Sequence, residues 1–335
     1  MVDVARVSGV SLKTVSRVVN GEPRVAAATQ ERVREVIAEL GFTRNDSASL
    51  LRRGAGTASI GLVLEDLGGP FYAAVTVGVE RAARERGHLL LTGSAEGDPV
   101  RARRLVEAFA ARRVDGLLIA PTSAGGEVLT GDLPTRVPAV LLDRPSADGL
   151  IDAVLTDNRG GAESAVGHLV ERGHRRIAHL GDDPNHWTVR ERRDGHLHAC
   201  QSLGLDGDGP VHLGPLDPRT VADVVGRWLT APDPVTAIVT GNSRATAALL
   251  RHLRTFALDG DRPAHVGFDD LELADLLTPS LTAVVQDATA IAARAVGLLF
   301  DRIADPDAPA RTVVVPTSLA VRGSSPPPPS HVPVP

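Results

Sequence analysis

A chain of 335 residues, 43% hydrophobic and 23% charged, can bury cores in two or more domains, which excludes a disordered or collagen-like polypeptide. One cysteine, Cys200, excludes an intramolecular disulfide and a multi-cysteine metal site; with no signal-like leader and no run near the roughly 18 apolar residues of a membrane span, a soluble cytoplasmic protein without membrane contact is expected. The net charge of −5 is uneven, since residues 1–56 hold nine Lys or Arg against six Asp or Glu, net +3, leaving −8 on the rest; any nucleic-acid contact is therefore expected in the head.

Along the chain, residues 3–8, 12–20 and 29–40 read as three short helices. Gly9-Val10-Ser11 supplies a tight turn and a cap between the first two, and Val33, Ile37 and Leu40 fall on one face of the third. Two short helices around a glycine turn, braced by a third, form a helix-turn-helix, whose second helix enters the major groove of DNA. Residues 42–57 read as a linker whose middle is helical only when DNA and a second subunit hold it.

From Ala58 onward, buried strands alternate with amphipathic helices. Strands 60–64, 89–91, 117–119 and 140–142 flank helices over 71–86 and 99–113, with Asp98-Pro99 as cap and first-turn proline. The rhythm restarts at Asp157 with a helix to Arg172, strand 177–180, helix 189–203, strand 237–239, helix 244–253, strand 265–268 and helix 289–302. The fold class expected is thus an all-α head on a two-part α/β body with parallel sheets, any ligand sitting at the carboxyl ends of the strands. The proline-rich segment 323–335 reads as a disordered tail.

Several stretches carry a family resemblance. Asp3-Val4-Ala5, Gly9-Val10-Ser11 and Thr14-Val15-Ser16-Arg17-Val18-Val19-Asn20-Gly21 resemble the DNA-binding head of LacI/GalR-type bacterial repressors. The likeness continues through Asp157-Asn158, Gly173-His174-Arg175-Arg176-Ile177, Arg190-Glu191-Arg192-Arg193-Asp194-Gly195, Gly267-Phe268-Asp269-Asp270 and Leu281 to Asp287. It implies a regulator with a periplasmic-binding-protein-like body that binds a pseudo-palindromic operator as a homodimer under small-molecule control. The boundaries it implies are a head over 1–41, a hinge over 42–57 and a core over 58–322, with an N-subdomain of 58–156 and 287–315 and a C-subdomain of 157–286 and 316–322.

The resemblance places Leu12, Lys13 and Arg17 against base edges, where Arg and Lys can donate to guanine and Leu can touch a thymine methyl. Ser11, Thr14, Ser16, Asn20 and Thr29 match positions that hold phosphates or cap helices, and Asn45 at the start of the hinge is a further DNA-binding position. Ala48 fits the crossing of two hinge helices, and Leu51 matches the leucine wedged into the minor groove. In the body, Asp157, Arg192, Asn242 and Asp269 match polar ligand contacts, Phe71 and Tyr72 can stack on a sugar face, and Gln286 lies near the subdomain crossover. These imply a sugar or related polyol as effector, with a nucleobase or nucleoside as the alternative. Leu216 replaces an aromatic platform of some sugar-binding members, and Trp187 is a candidate substitute.

No cofactor, metal or catalytic group is expected. Lys13 is the sole lysine, so Schiff-base and phosphate-loop enzymes are excluded, and no G-x-S-x-G elbow marks a hydrolase. His196 and His198, two apart on a helix, point in different directions. A solute-binding protein without a regulatory role is the rival reading; it lacks an account of the helix-turn-helix. Met1 stands where the family has residues leading into a capping Ser or Thr, which leads to the expectation of a true start upstream or of a first helix loose off DNA.

Overall fold

The computed structural model describes residues 1–19, 21–23, 25–42, 57–121, 136–205, 209–256 and 262–328. Its contacts divide the chain into Met1–Thr57 and Ala58–Pro335. The first unit contains α1 (Val2–Ser8), α2 (Leu12–Val19) and α3 (Ala27–Glu39). Its core is made of valines: Val4, Val15, Val18, Val33 and Val36 are buried together. Gly9, at φ 65°, stops α1 in the left-handed conformation that glycine adopts without strain. Ser11 then accepts from the Thr14 amide at 3.1 Å and caps α2. Met1 occupies the N-cap of α1 and makes no side-chain cap bond. The third helix starts at Ala27, so Thr29 stands inside its first turn and is not its cap.

The second unit has two six-stranded sheets. Strands β1 (Ser59–Leu64), β2 (Leu89–Ser94), β3 (Gly116–Ile119), β4 (Ala139–Leu142) and β5 (Asp152–Thr156) belong to the first. The second sheet holds β6 (Ile177–Gly181), β7 (Val211–Leu213), β8 (Ala237–Thr240), β9 (Ala264–Phe268) and β10 (Thr282–Gln286). The chain then returns, adding β11 (Thr312–Val315) to the first sheet and β12 (Thr317–Ala320) to the second, in orders β11-β5-β4-β3-β1-β2 and β12-β10-β9-β8-β6-β7. All neighbours in the first sheet are parallel, whereas β12 runs antiparallel to β10. The sheets are parallel as expected, with one antiparallel edge pair where β12 reaches β10 directly from the adjacent crossover.

Helices cover both faces of each sheet, which explains why strands such as β3 and β4 are apolar and buried throughout. Around the first sheet lie α4 (Pro70–Glu85), α5 (Pro99–Ala111) and α10 (Ala288–Ala304); around the second lie α6 (Asn158–Glu171), α7 (Trp187–Ser202), α8 (Pro218–Leu229) and α9 (Ser243–Phe256). The Arg302 Nε donates to buried Asp152 at 2.9 Å, tying α10 to the start of β5. The chain crosses between sheets after β5, after β10 and between β11 and β12.

The expectation of a disordered tail from residue 323 is corrected for 323–328. Ser324 and Ser325 are buried. The Ser324 amide donates to the Ser280 carbonyl at 2.8 Å, its hydroxyl donates to the His265 carbonyl at 2.6 Å, and the Pro326 carbonyl pairs with His174 Nε2 at 2.8 Å. Ser324 satisfies buried backbone groups at the base of β9 and β10, and Ser325 pairs with the Thr282 hydroxyl and the His168 ring, which composition alone does not reveal. Residues 329–335, and Asn20, Asn45, Ala48 and Leu51 of the head and hinge, lie outside the described residues.

Candidate functional site

In the head, burying Val15 and Val18 turns the opposite face of α2 outward. Leu12 and Lys13 are exposed there, with Ser11 at the start. Thr14, Ser16 and Arg17 are half-buried, and Arg17 Nε lies 3.7 Å from Glu22. The structure thus gathers one apolar, two cationic and three hydroxyl side chains on one short helix, a set able to touch bases and phosphates.

The body carries a cavity of about 110 Å³. Its walls come from the carboxyl ends of strands in both sheets, as doubly wound folds place their ligands. Six of the seven expected contacts line it: Phe71 and Tyr72 from the start of α4, Arg192 from α7, Asn242 after β8, Asp269 after β9 and Gln286 at the end of β10. The aromatic pair is tilted at 56° with centroids 5.3 Å apart. Asn242 accepts from the Ala245 amide at 2.9 Å and so also caps α9.

Arg192 is fixed on four sides. Nε donates to Asn158 Oδ1 at 2.7 Å and Nη1 to the Gly241 carbonyl at 2.8 Å, while the guanidinium lies 3.8 Å above the Phe268 ring. Its remaining neighbour is the Asp269 carboxylate at 4.0 Å. Asp269 accepts in turn from Gln286 Nε2, and the Gln286 oxygen accepts from the Thr156 hydroxyl at the end of β5. A ligand on Asp269 therefore touches a chain of bonds that crosses from one sheet to the other.

Asp157, the seventh expected contact, is corrected. Its carboxylate accepts from the Gly160 amide at 2.9 Å and serves as N-cap of α6, and it is not among the cavity's lining. The first free amides of a helix satisfy a carboxylate there without any ligand. Trp187 packs on the core behind β1 and β3, and Leu216 packs beside α8 and α9, so neither forms an aromatic platform in the cavity. Buried His196 contacts Cys200 Sγ at 3.6 Å, whereas His198 reaches Glu163 at 2.8 Å on the surface. Burial lowers the His196 pKa to about 4, so that ring is neutral.

Sequence reasoning missed a second set of lining residues: Glu65 and Asp66 after β1, Asp143 after β4, Asp182 and His186 after β6, and Arg244 at the start of α9. The signal was present, because each follows a buried strand by a few residues. Asp66 accepts from Arg244 at 2.9 Å in an ion pair that spans the cleft, and Glu65 stands 3.6 Å from the His186 ring. Asp143 Oδ2 accepts from the Tyr72 hydroxyl at 3.2 Å. Burial pushes the Asp143 carboxyl up to about 6 against the pull of Arg192, and burial likewise raises Glu65.

Residues 1–45 match bacterial regulatory proteins of the lacI family, and residues 166–325 match a periplasmic binding protein-like domain. The ribose operon repressor of Escherichia coli K12 is 32% identical over 97% of this chain and 99% of its own. A transcriptional regulator CelR–cellobiose complex is 30% identical over 96% of this chain and 98% of its own, with a TM-score of 0.69. The Lac repressor dimer bound to operator and the anti-inducer ONPF covers 97% and 98% with a TM-score of 0.82; at 24% identity it is a likeness of fold.

Proposed function

The chain belongs to the lacI family of bacterial regulatory proteins, and from that premise we propose that two copies grip a pseudo-palindromic operator while a sugar or related polyol in each cleft sets their affinity for it. It is a DNA-binding transcriptional regulator of the repressor type, acting by binding and not by catalysis, and its place of action is the cytoplasm, on the chromosome. Among the described residues no helix is long and apolar enough to cross a membrane.

The observation that carries the reading is the outward face of α2, where Leu12, Lys13 and Arg17 stand opposite buried Val15 and Val18. Lys13 and Arg17 donate to guanine edges and Leu12 meets a thymine methyl. Ser11, Thr14, Ser16, Asn20, Thr29 and Asn45 orient the head on phosphates, and Ala48 and Leu51 serve the hinge in the minor groove. In the body Phe71 and Tyr72 stack on the ligand ring, and Arg192, Asn242, Asp269 and Gln286 exchange hydrogen bonds with its hydroxyls. The effector acts through unequal affinity for the operator-competent and incompetent states.

Selection of bound duplexes from a random pool tests this. The full-length protein is expected to enrich a palindrome, and Arg17→Ala to relax the preference at one position per half-site. Enrichment of no sequence would overturn the proposal.

A further inference from the structure

Resting on the reading of the cleft as the effector site, we propose that Thr156 and Asn158 are positioning residues that tie the effector contacts to the angle between the two sheets, with the Thr156 hydroxyl as the coupling group. Neither residue lines the cavity, and both are buried. They belong to a closed ring of polar contacts. The Thr156 hydroxyl donates to Gln286 Oε1, and Gln286 Nε2 donates to Asp269 Oδ1. Asp269 Oδ2 lies 4.0 Å from Arg192 Nη1, and Arg192 Nε donates to Asn158 Oδ1 at 2.7 Å. Asn158 Nδ2 then closes the ring on the Thr156 carbonyl at 3.1 Å. Arg192, Asp269 and Gln286 line the cavity, so the effector touches one side of the ring and Thr156 holds the other.

The ring closes where the chain crosses between the sheets. Thr156 ends β5 opposite Val315, the last residue of β11, and Gln286 ends β10 opposite Thr317, the first residue of β12. Their hydrogen bond therefore joins one crossing to another beside the third, and a change in the angle between the sheets turns its two ends against each other. Hydrogen bonds weaken steeply when misaligned. While the Gln286 oxygen holds Thr156, its nitrogen is aimed at Asp269; once the oxygen is released the amide turns, and Asp269 loses one of its two donors, the other being the Ser243 amide at 3.3 Å. Arg192 is aimed in the same way by Asn158. Among the described residues its Nη2 has no partner, and that nitrogen is not sealed from solvent, so it is open to a ligand. The ligand contacts thus have their full geometry at one sheet angle only, which supplies the unequal affinity through which an effector acts.

The test measures operator binding by the full-length protein, without and with saturating sugar, on the duplex that selection enriches. D-ribose, D-glucose and D-galactose are first titrated by calorimetry, and the tightest binder is used. The ratio of the two operator dissociation constants is the coupling factor. Thr156→Val keeps the side-chain shape and removes the hydroxyl. It is expected to go on binding the sugar while its coupling factor falls about fivefold, or to unity, the effect of one hydrogen bond. Thr156→Ser keeps a hydroxyl and is expected to hold the factor near the wild-type value; Thr156→Ala serves as the second hydroxyl-free variant. A merely structural role would lower the melting temperature and leave the ratio alone. A wild-type factor in both hydroxyl-free variants, or a loss that Thr156→Ser shares, overturns the proposal while the cleft reading stands. Absence of binding by all three sugars, or a bound sugar that leaves the wild-type operator affinity unchanged, overturns the cleft reading and the proposal with it. A wild type that enriches no duplex overturns the regulator reading on which both depend.

Discussion

Taking a carboxylate out of water costs free energy unless donors replace the lost solvent. Asp143 receives one such donor, the Tyr72 hydroxyl, and its other oxygen has none. Its pKa accordingly rises from 3.8 to about 6. In the unfolded chain the group titrates near its ordinary value, so the folded state holds the proton more tightly between those two pH values. The associated stability is full below about pH 4 and is lost as pH rises through about 6, with a plateau of about 3 kcal/mol. Asp143→Asn keeps the shape and removes the ionisation. Its melting temperature is expected to exceed wild type at pH 8 and to converge with it near pH 4; parallel melting curves at the two pH values would put an end to this account. The residue was legible in principle, since it directly follows the buried run Val140-Leu141-Leu142. Asp157 shows the opposite failure, because a carboxylate at the start of a helix looks alike in sequence whether it caps or binds. Only the bond to the Gly160 amide separates the two roles.

At the scale of elements, α6 and α7 meet at unusually close quarters. A Cβ built on Gly195 of α7 would lie 2.4 Å from the Arg159 carbonyl oxygen and 2.9 Å from its Cα, both backbone atoms of α6. Neither atom can yield without moving a helix. Gly195→Ala is therefore expected to cost about 1–3 kcal/mol, the usual penalty of overpacking, despite the better helix propensity of alanine. Because Arg192 stands one turn earlier on the same helix and bonds Asn158 on the other, the separation should also weaken ligand binding. Urea unfolding and sugar titration of one sample read both effects; an alanine variant as stable as wild type would contradict the packing argument. The glycine is plain in the sequence, but its reason lies in a neighbour 36 positions away. Elements declared by period and caps were readable, including the α/β alternation and the three helices of the head. What escaped was decided by distant pairing. The three-residue β7 and the antiparallel β12 exist because β6 and β10 lie beside them, and α8 escaped notice although Asp217 and Pro218 give it a cap and a first-turn proline. Gln286 and Thr156, 130 residues apart in sequence, form one hydrogen bond at the crossover.

Over the whole body, two sheets joined by three crossings can open and close about those crossings, and the cleft mouth is where such motion is greatest. One ion pair and one carboxylate–imidazole contact span it. Arg244 reaches Asp66 at 2.9 Å across the gap, and His186 approaches Glu65 at 3.6 Å. The Asp66 pair is exposed, with side-chain accessibilities of 66% and 37%, so it adds little to folding stability; pairs of this kind are worth roughly 0–1 kcal/mol. The same small energy acts differently on an equilibrium between open and closed cleft, where about 1 kcal/mol changes the population ratio about fivefold. Asp66→Ala is thus expected to leave the melting temperature within about 1 °C while raising both the association and dissociation rates of a bound sugar severalfold. Trp187, half-buried at the start of α7, provides the fluorescence signal for stopped-flow mixing. Raising the salt should accelerate the wild type toward the variant and leave the variant nearly unchanged, since screening removes only an attraction that is present. Rates that respond equally to salt in both proteins would mean that the Asp66–Arg244 pair does not hold the cleft, and closure would then rest on the Glu65–His186 contact, Gln286 and the crossing strands.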